Sequence, residues 1–224
     1  MNARLLETVA RAHADRFGGP PAAAAYAPGR VEILGNHTDY NEGLVLSAAI
    51  DAGVVFAASP AAGATCTVQA LDAQGVARFD LPVEAPAARP AWVNYVRGVV
   101  HQLGAFGRVG PAGFNATFAG DIPMGAGLSS SAALEVAAAL ALGRLYGLAV
   151  PPLDTARLCQ AAENTFTGAR CGLLDQISSL YGQAGRLVYT DFRTLAVETL
   201  PLDDAIRFLL ANTRVKHRLV ESEY

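Results

Sequence analysis

GDIPMGAGLSSSAALEVAAALAL, residues 120–142, sets three glycines and three serines directly ahead of a long alanine and leucine run. Glycine lets a backbone turn sharply and come close to a ligand, and Gly120, Gly125 and Gly127 supply three such positions. From Ala132 to Leu145 apolar residues recur at three and four, with only Glu135 and Arg144 charged, which predicts a helix. A flexible turn therefore feeds a helix N-terminus. Unpaired N–H groups and the positive dipole end there suit an anion, above all a phosphate. No Gly-Lys-Ser/Thr follows, so this is not a Walker A loop, and the third glycine of the dinucleotide fingerprint is missing. A plain loop with a capping serine is the ordinary alternative.

Around this stretch lie 224 residues, 52% of them apolar, enough for one compact body with a real core. Seventeen Lys and Arg against 20 Asp and Glu leave a formal charge of −3. Nothing in that balance points to nucleic acid or an acidic membrane surface. The apolar stretches are interrupted by charges and prolines, so a soluble protein is expected. Cys66, Cys159 and Cys171 are an odd set without C-x-x-C spacing; neither a disulfide frame nor a zinc site is suggested, and a reducing cytoplasm is the simplest location.

Residues 1–17 place Leu5, Leu6, Val9 and Ala12 on one side of a helix, without the apolar core of a signal peptide. PPAAAAYAPGR (20–30) and VEAPAARPAW (83–92) are expected to be Pro/Ala-rich connecting loops. GLVLSAAIDAGVVFAAS (43–59) and ATCTVQALDAQGVARFDLP (64–82) predict strands, the second with a hairpin turn at 72–75. Helices are expected from WVNYVRGVVHQLGAFG, PPLDTARLCQAAENTF and LLDQISSLYG, and strands from GFNATFAGDIP, RLVYTDFRTLAVETLPL and IRFLLANT. The elements mix without strict βαβ alternation, which favours an α+β fold.

Two further segments carry chemistry. APGRVEILGNHTDYNEG (27–43) packs Arg30, Glu32, Asn36, His37, Asp39, Tyr40, Asn41 and Glu42 into a stretch too polar for a core. Such density suits a polyhydroxylated ligand or a phosphate, the alternative being a surface loop with an Asp-Tyr-Asn-Glu-Gly turn. AENTFTGARCGLLDQ (162–176) sets Glu163 and Asp175 on either side of a break from Gly168 to Gly172. Those acids could bind a cation and take a proton, or be a solvated helix face and a helix-start acid.

Together the three segments resemble the GHMP kinase superfamily, and within it the galactokinase family. GRVEILGNHTDYNEG largely matches that family's G-R-x-N-[LIV]-I-G-E-H-x-D-Y-N-x-G. Residues Pro123 to Ala132 match the superfamily's P-x-G-x-G-L-S-S-S-A, CGLLDQ matches the segment of the family's catalytic aspartate, and VKHRLVESEY the stretch before its second domain. The resemblance implies a GHMP N-terminal fold, of the kind also described as ribosomal protein S5 domain 2-like, spanning 1–224. It implies transfer of the γ-phosphoryl group of ATP to the 1-hydroxyl of galactose. Gly125, Ala126, Gly127, Leu128, Ser129, Ser130 and Ser131 would hold the nucleotide phosphates, with Ser131 and Glu163 on Mg²⁺. Asp175 would face the sugar hydroxyl, and Arg30 would stabilise transferring charge and favour the ionised form of Asp175. Asn36, His37, Asp39, Gly172, Asp175 and Tyr224 match the sugar-binding positions. Trp92 and Asn94 fall where the family's WxNY stretch approaches the nucleotide, although a lone Trp at helical spacing is more often core.

Two departures stand out. The family has Asn then Glu where this chain has Glu32 then Asn36, as if an acid and an amide had traded places. An amide oxygen accepts a hydrogen bond less strongly than a carboxylate, so the preferred sugar follows least directly; N-acetylgalactosamine and arabinose are the related candidates. The family also continues past the position of Tyr224 into a second domain that closes over the ATP site, so weak or no turnover is expected of this chain alone. A sugar or ATP sensor without catalysis is the alternative; such sensors lose residues from the S-S-S-A-A stretch, which is intact here at 129–133.

Overall fold

A computed structural model describes residues 2–106, 112–123 and 125–211. Its elements run α1 (Ala3–Phe17), β1 (Ala23–Leu34), β2 (Leu44–Pro60), β3 (Thr65–Ala70), β4 (Gly75–Asp80), α2 (Val93–Phe106), β5 (Phe114–Gly120), α3 (Ser130–Tyr146), α4 (Pro152–Phe166), α5 (Leu174–Tyr181), β6 (Arg186–Asp191) and β7 (Ala196–Pro201).

Strand β2 organises the sheet. It pairs antiparallel with β1 along its length, with β6 through Leu44–Ser47, and with β5 through Val54–Pro60. The path is β4-β3-β5-β2-β6-β7, with β3 and β5 parallel and the other pairs antiparallel. This is the mixed α+β arrangement expected, including the hairpin between β3 and β4. The run VVFAA of β2 is apolar without alternation because both faces are covered. Val54, Phe56 and Ala58 join the main core beneath α2, α3 and α4, while Val55 and Ala57 meet Val9 of α1 on the other face. The Asn2 side chain caps α1, accepting from the N–H of Arg4 at 3.1 Å, and Gly18 ends it in the left-handed region at φ 80°.

Helix α3 is enclosed by β1, β2, α2, α4 and α5. Alanine lets backbones approach closely, so the helix is buried nearly all round from Ala132 to Gly143, including Glu135. Gly98 serves the same end between α2 and α4, where a Cβ would lie 2.9 Å from the Cβ of Ala162.

Two expectations are corrected. PPAAAAYAPGR is not a loop: from Ala23 onward it is β1, with Ala25, Ala27, Gly29 and Val31 buried at period two. Pro28, which has no N–H to donate, sits where the β1–β2 register shifts. IRFLLANT forms no strand over residues 206–211, where no strand lies beside it, and Leu209 is 95% exposed. The remainder of that stretch lies outside the described residues, as does Tyr224.

Candidate functional site

Strand β1 carries Arg30 toward helix α5. Its Nη2 and Nε both reach Oδ1 of Asp175, at 2.6 and 2.9 Å, while Nη1 donates to the carbonyl of Gly127 at 2.7 Å. One guanidinium thus joins the glycine loop to a carboxylate that is 145 residues away in sequence. Helix α5 is fixed for this by Ser179, whose hydroxyl donates to the Pro28 carbonyl at 2.8 Å, and by the Ser47–Ser178 hydroxyl pair at 2.7 Å.

The loop lies directly on β1. The Arg30 N–H donates to the Leu128 carbonyl at 3.2 Å, and a Cβ on Gly29 would meet that oxygen at 2.6 Å. Gly125 and Gly127 both hold φ 70°, the left-handed conformation that makes glycine the default there. Ser129, at the start of α3, makes no side-chain capping bond, so the capping-serine alternative is not what is found. The first N–H groups of α3 are left without that partner. A groove of about 930 Å³ borders Pro123, Ala126 and Leu128 of this loop, but its other walls are β1, β2, residues 182–186, Leu202 and residues 206–211, and Arg30, Ser131, Glu163 and Asp175 do not line it.

Behind the loop stands Glu163 of α4, only 2% exposed. Its Oε2 accepts from Gln176 Nε2 at 3.1 Å and from the Cys171 thiol at 3.4 Å, and the Ser131 hydroxyl lies beside the carboxyl. Burial pushes its pKa up, and the Ser131, Cys171 and Gln176 donors offset this in part. Ser131 and Glu163 form an all-oxygen pair, the donor chemistry that suits a hard cation such as Mg²⁺. Among the described residues no group of three or more His, Cys, Asp or Glu forms a metal cage. Magnesium commonly keeps waters and phosphate oxygens instead of such a cage.

The loop after β1 supplies the opposite wall. Thr38 ties it down by donating to the Gly35 carbonyl at 2.7 Å, Tyr40 and His37 are paired through the phenol and Nδ1, and His37 holds a left-handed φ of 60°. Asp39 reaches the start of α5 and accepts from the Leu174 N–H at 3.4 Å; burial raises its pKa against that bond. A Cβ on Gly172 would lie 1.8 Å from Asp39 Oδ2, so only glycine allows this approach. Asp39, Gly172, Asp175 and Arg30 are therefore brought together. Asn36, in the same loop as His37 and Asp39, is exposed.

Trp92 packs edge-to-face on Phe118, with ring centroids 5.5 Å apart, against the main core. Asn94 clasps the backbone of Ala87, accepting at 2.7 Å and donating at 3.0 Å. Three residues were given no role of their own by the sequence reading. Glu135 is wholly buried; among the described residues its carboxyl oxygens make no well-formed hydrogen bond, although Gln176 reaches toward them and partly offsets the burial that raises its pKa well above the usual range. Gln176 adjoins it with an unpartnered Oε1. Glu32 shares the Arg30 face of β1; its spacing of two from Arg30 was the available signal.

The description "GHMP kinases N terminal domain" matches residues 94–183, and "Galactokinase galactose-binding signature" matches residues 11–60. The chain has the GHMP kinase N-terminal fold and is similar to the N-terminal portion of galactokinases. The Homo sapiens galactokinase is 38% identical over 99% of this chain and 58% of its own length, and that of Chloroflexus aurantiacus is 38% identical over 98% and 56%. Lactococcus lactis galactokinase complexed with galactose superposes with a TM-score of 0.81 at 34% identity, over 88% of this chain and 52% of that one. A Methanococcus jannaschii mevalonate kinase, 17% identical with a TM-score of 0.64 over 80% and 55%, shares the GHMP fold. The chain spans a little over half the length of the curated galactokinases it matches. No helix among its described residues is long and apolar enough to cross a membrane.

Proposed function

We propose that this chain carries the galactose side and the phosphate loop of an ATP-dependent galactose 1-kinase. The observation that supports it most is the Arg30 guanidinium, which grips Asp175 and the Gly127 carbonyl at once. Phosphoryl transfer needs little covalent chemistry from a protein; it needs the nucleophile in line and the charge stabilised. The loop from Gly125 to Ser131 and the first amides of α3 would take the nucleotide phosphates. Ser131 and Glu163 would hold Mg²⁺, which when bound neutralises phosphate charge.

Asp39 and His37 would hold the sugar, with Gly172 leaving room for Asp39. Asp175 would face the 1-hydroxyl, orient its oxygen toward the γ-phosphorus and accept its proton as the new oxygen–phosphorus bond forms. The bond from that phosphorus to the β,γ-bridging oxygen breaks, and ADP leaves. Arg30 would stabilise the charge spread over the transferring group.

Calorimetric titration with galactose, and separately with Mg²⁺ and a non-hydrolysable ATP analogue, tests this. Galactose is expected to bind, with nucleotide binding weak unless the remaining length found in the relatives is present. A folded chain that binds neither, alone or as part of the full product of its gene, overturns the proposal.

A further inference from the structure

Resting on the kinase assignment above, we propose that Glu32 is a specificity-determining residue, its carboxylate accepting a hydrogen bond from a hydroxyl of a neutral sugar. Arg30 and Glu32 are two residues apart on β1, so their side chains leave the same face of the strand, while the intervening Val31 is buried on the other. That face is the site: Arg30 spends its nitrogens on Asp175 and Gly127. The register of β1 against β2 shifts just after Glu32, between the Glu32–Ser47 and Leu34–Leu46 pairs, and such a shift re-aims side chains at a sheet end.

The surroundings of the Glu32 carboxylate are Arg30, Asp39, Asp175 and His37, the residues that frame the sugar side. It is only partly exposed, and among the described residues no donor is hydrogen-bonded to it. Burial and the two aspartates raise its pKa, and Arg30 and His37 offset this in part. A half-buried carboxylate without a donor, beside two others, gains when a neutral donor arrives and loses when another anion does. Sugar hydroxyls are such donors. An acidic sugar would add a fourth negative charge and is excluded. Asn36, the amide that stands where the family has its acid, lies exposed in the loop after β1, whereas Glu32 is half-buried on the strand beside Arg30.

Galactose and the 2-, 3-, 4- and 6-deoxygalactoses are titrated against the product of the gene that encodes this chain, as wild type, Glu32→Ala, Glu32→Gln and Asn36→Ala. The wild type is expected to bind one deoxysugar about tenfold to a hundredfold more weakly than galactose, the range for a hydrogen bond to a charged group. In Glu32→Ala that discrimination collapses to within about twofold, and Glu32→Gln, which keeps an acceptor, falls between. Galactose binding with the same discrimination in wild type and Glu32→Ala overturns this inference and leaves the kinase assignment standing. So does a loss of discrimination confined to Asn36→Ala. Failure of the wild type to bind any of these sugars overturns the kinase assignment and this inference with it.

Discussion

Gly172 and Asp39 approach so closely that a single methyl group on the glycine would lie 1.8 Å from the aspartate Oδ2. Chain segments 133 positions apart are packed as tightly as backbone and carboxylate allow, and the start of α5 shares the contact through the Leu174 N–H. Gly172→Ala must push Asp39 aside. Galactose affinity is expected to fall about tenfold or more, the scale for a lost hydrogen bond to a charged group. Thermal stability should change little, because the displaced group is the end of a side chain. Calorimetry and a melting curve on the same variant check both halves.

Arg30→Lys tests the guanidinium's geometry apart from its charge. A lysine ammonium is a point charge and cannot serve Asp175 and the Gly127 carbonyl together. The turnover number is expected to drop about 10²-fold to 10³-fold with a smaller change in KM, the pattern of an interaction realised in the transition state. Steady-state kinetics on the full gene product separates the two parameters.

Gly29→Ala probes the seat of the phosphate loop. The new Cβ would meet the Leu128 carbonyl at 2.6 Å, and here the obstacle is backbone, so the loop itself has to move. A loss of about 1–3 kcal/mol in stability is expected from overpacking. Binding of an ATP analogue should weaken more than binding of galactose, which titrations of each ligand will show.

Glu135 makes a prediction about pH. Burial raises its pKa well above the usual carboxyl range, and Glu163 is raised in the same direction. The folded state therefore holds protons that the unfolded chain has released, so the stability these groups contribute is full below the unfolded pKa and is lost as pH rises toward the folded values. Glu135→Gln cannot ionise, and its amide can donate to the unpartnered Oε1 of Gln176. The variant is expected to be the more stable by about 1 kcal/mol or more near pH 8, at roughly 2–4 °C of Tm per kcal/mol. Its Tm should fall less steeply than that of the wild type between pH 5 and 8.

The glycine loop and α3 were legible because both signals are local: punctuation by Gly125 and Gly127, then apolar spacing at three and four. Strand β1 was hidden because alanine stands on both of its faces, so the burial alternation of Ala25, Ala27, Gly29 and Val31 has no hydropathy contrast to show it. Pro28 strengthened the wrong impression, although a register shift accommodates it. The pairing of Arg30 with Asp175 followed from family motifs and not from spacing, since no local rule joins positions so far apart. Glu135 was given no role for a related reason: one acid on an alanine helix looks like a solvated position until helices and sheet enclose it.

The most direct measurement follows the phosphorus. With the full gene product, ATP, Mg²⁺ and galactose, ³¹P NMR should show a sugar 1-phosphate signal growing as the ATP γ signal falls, and Asp175→Asn should stop that growth while galactose still binds. A folded wild type that binds galactose yet never produces the sugar phosphate, or an Asp175→Asn variant that produces it at the wild-type rate, would contradict the account.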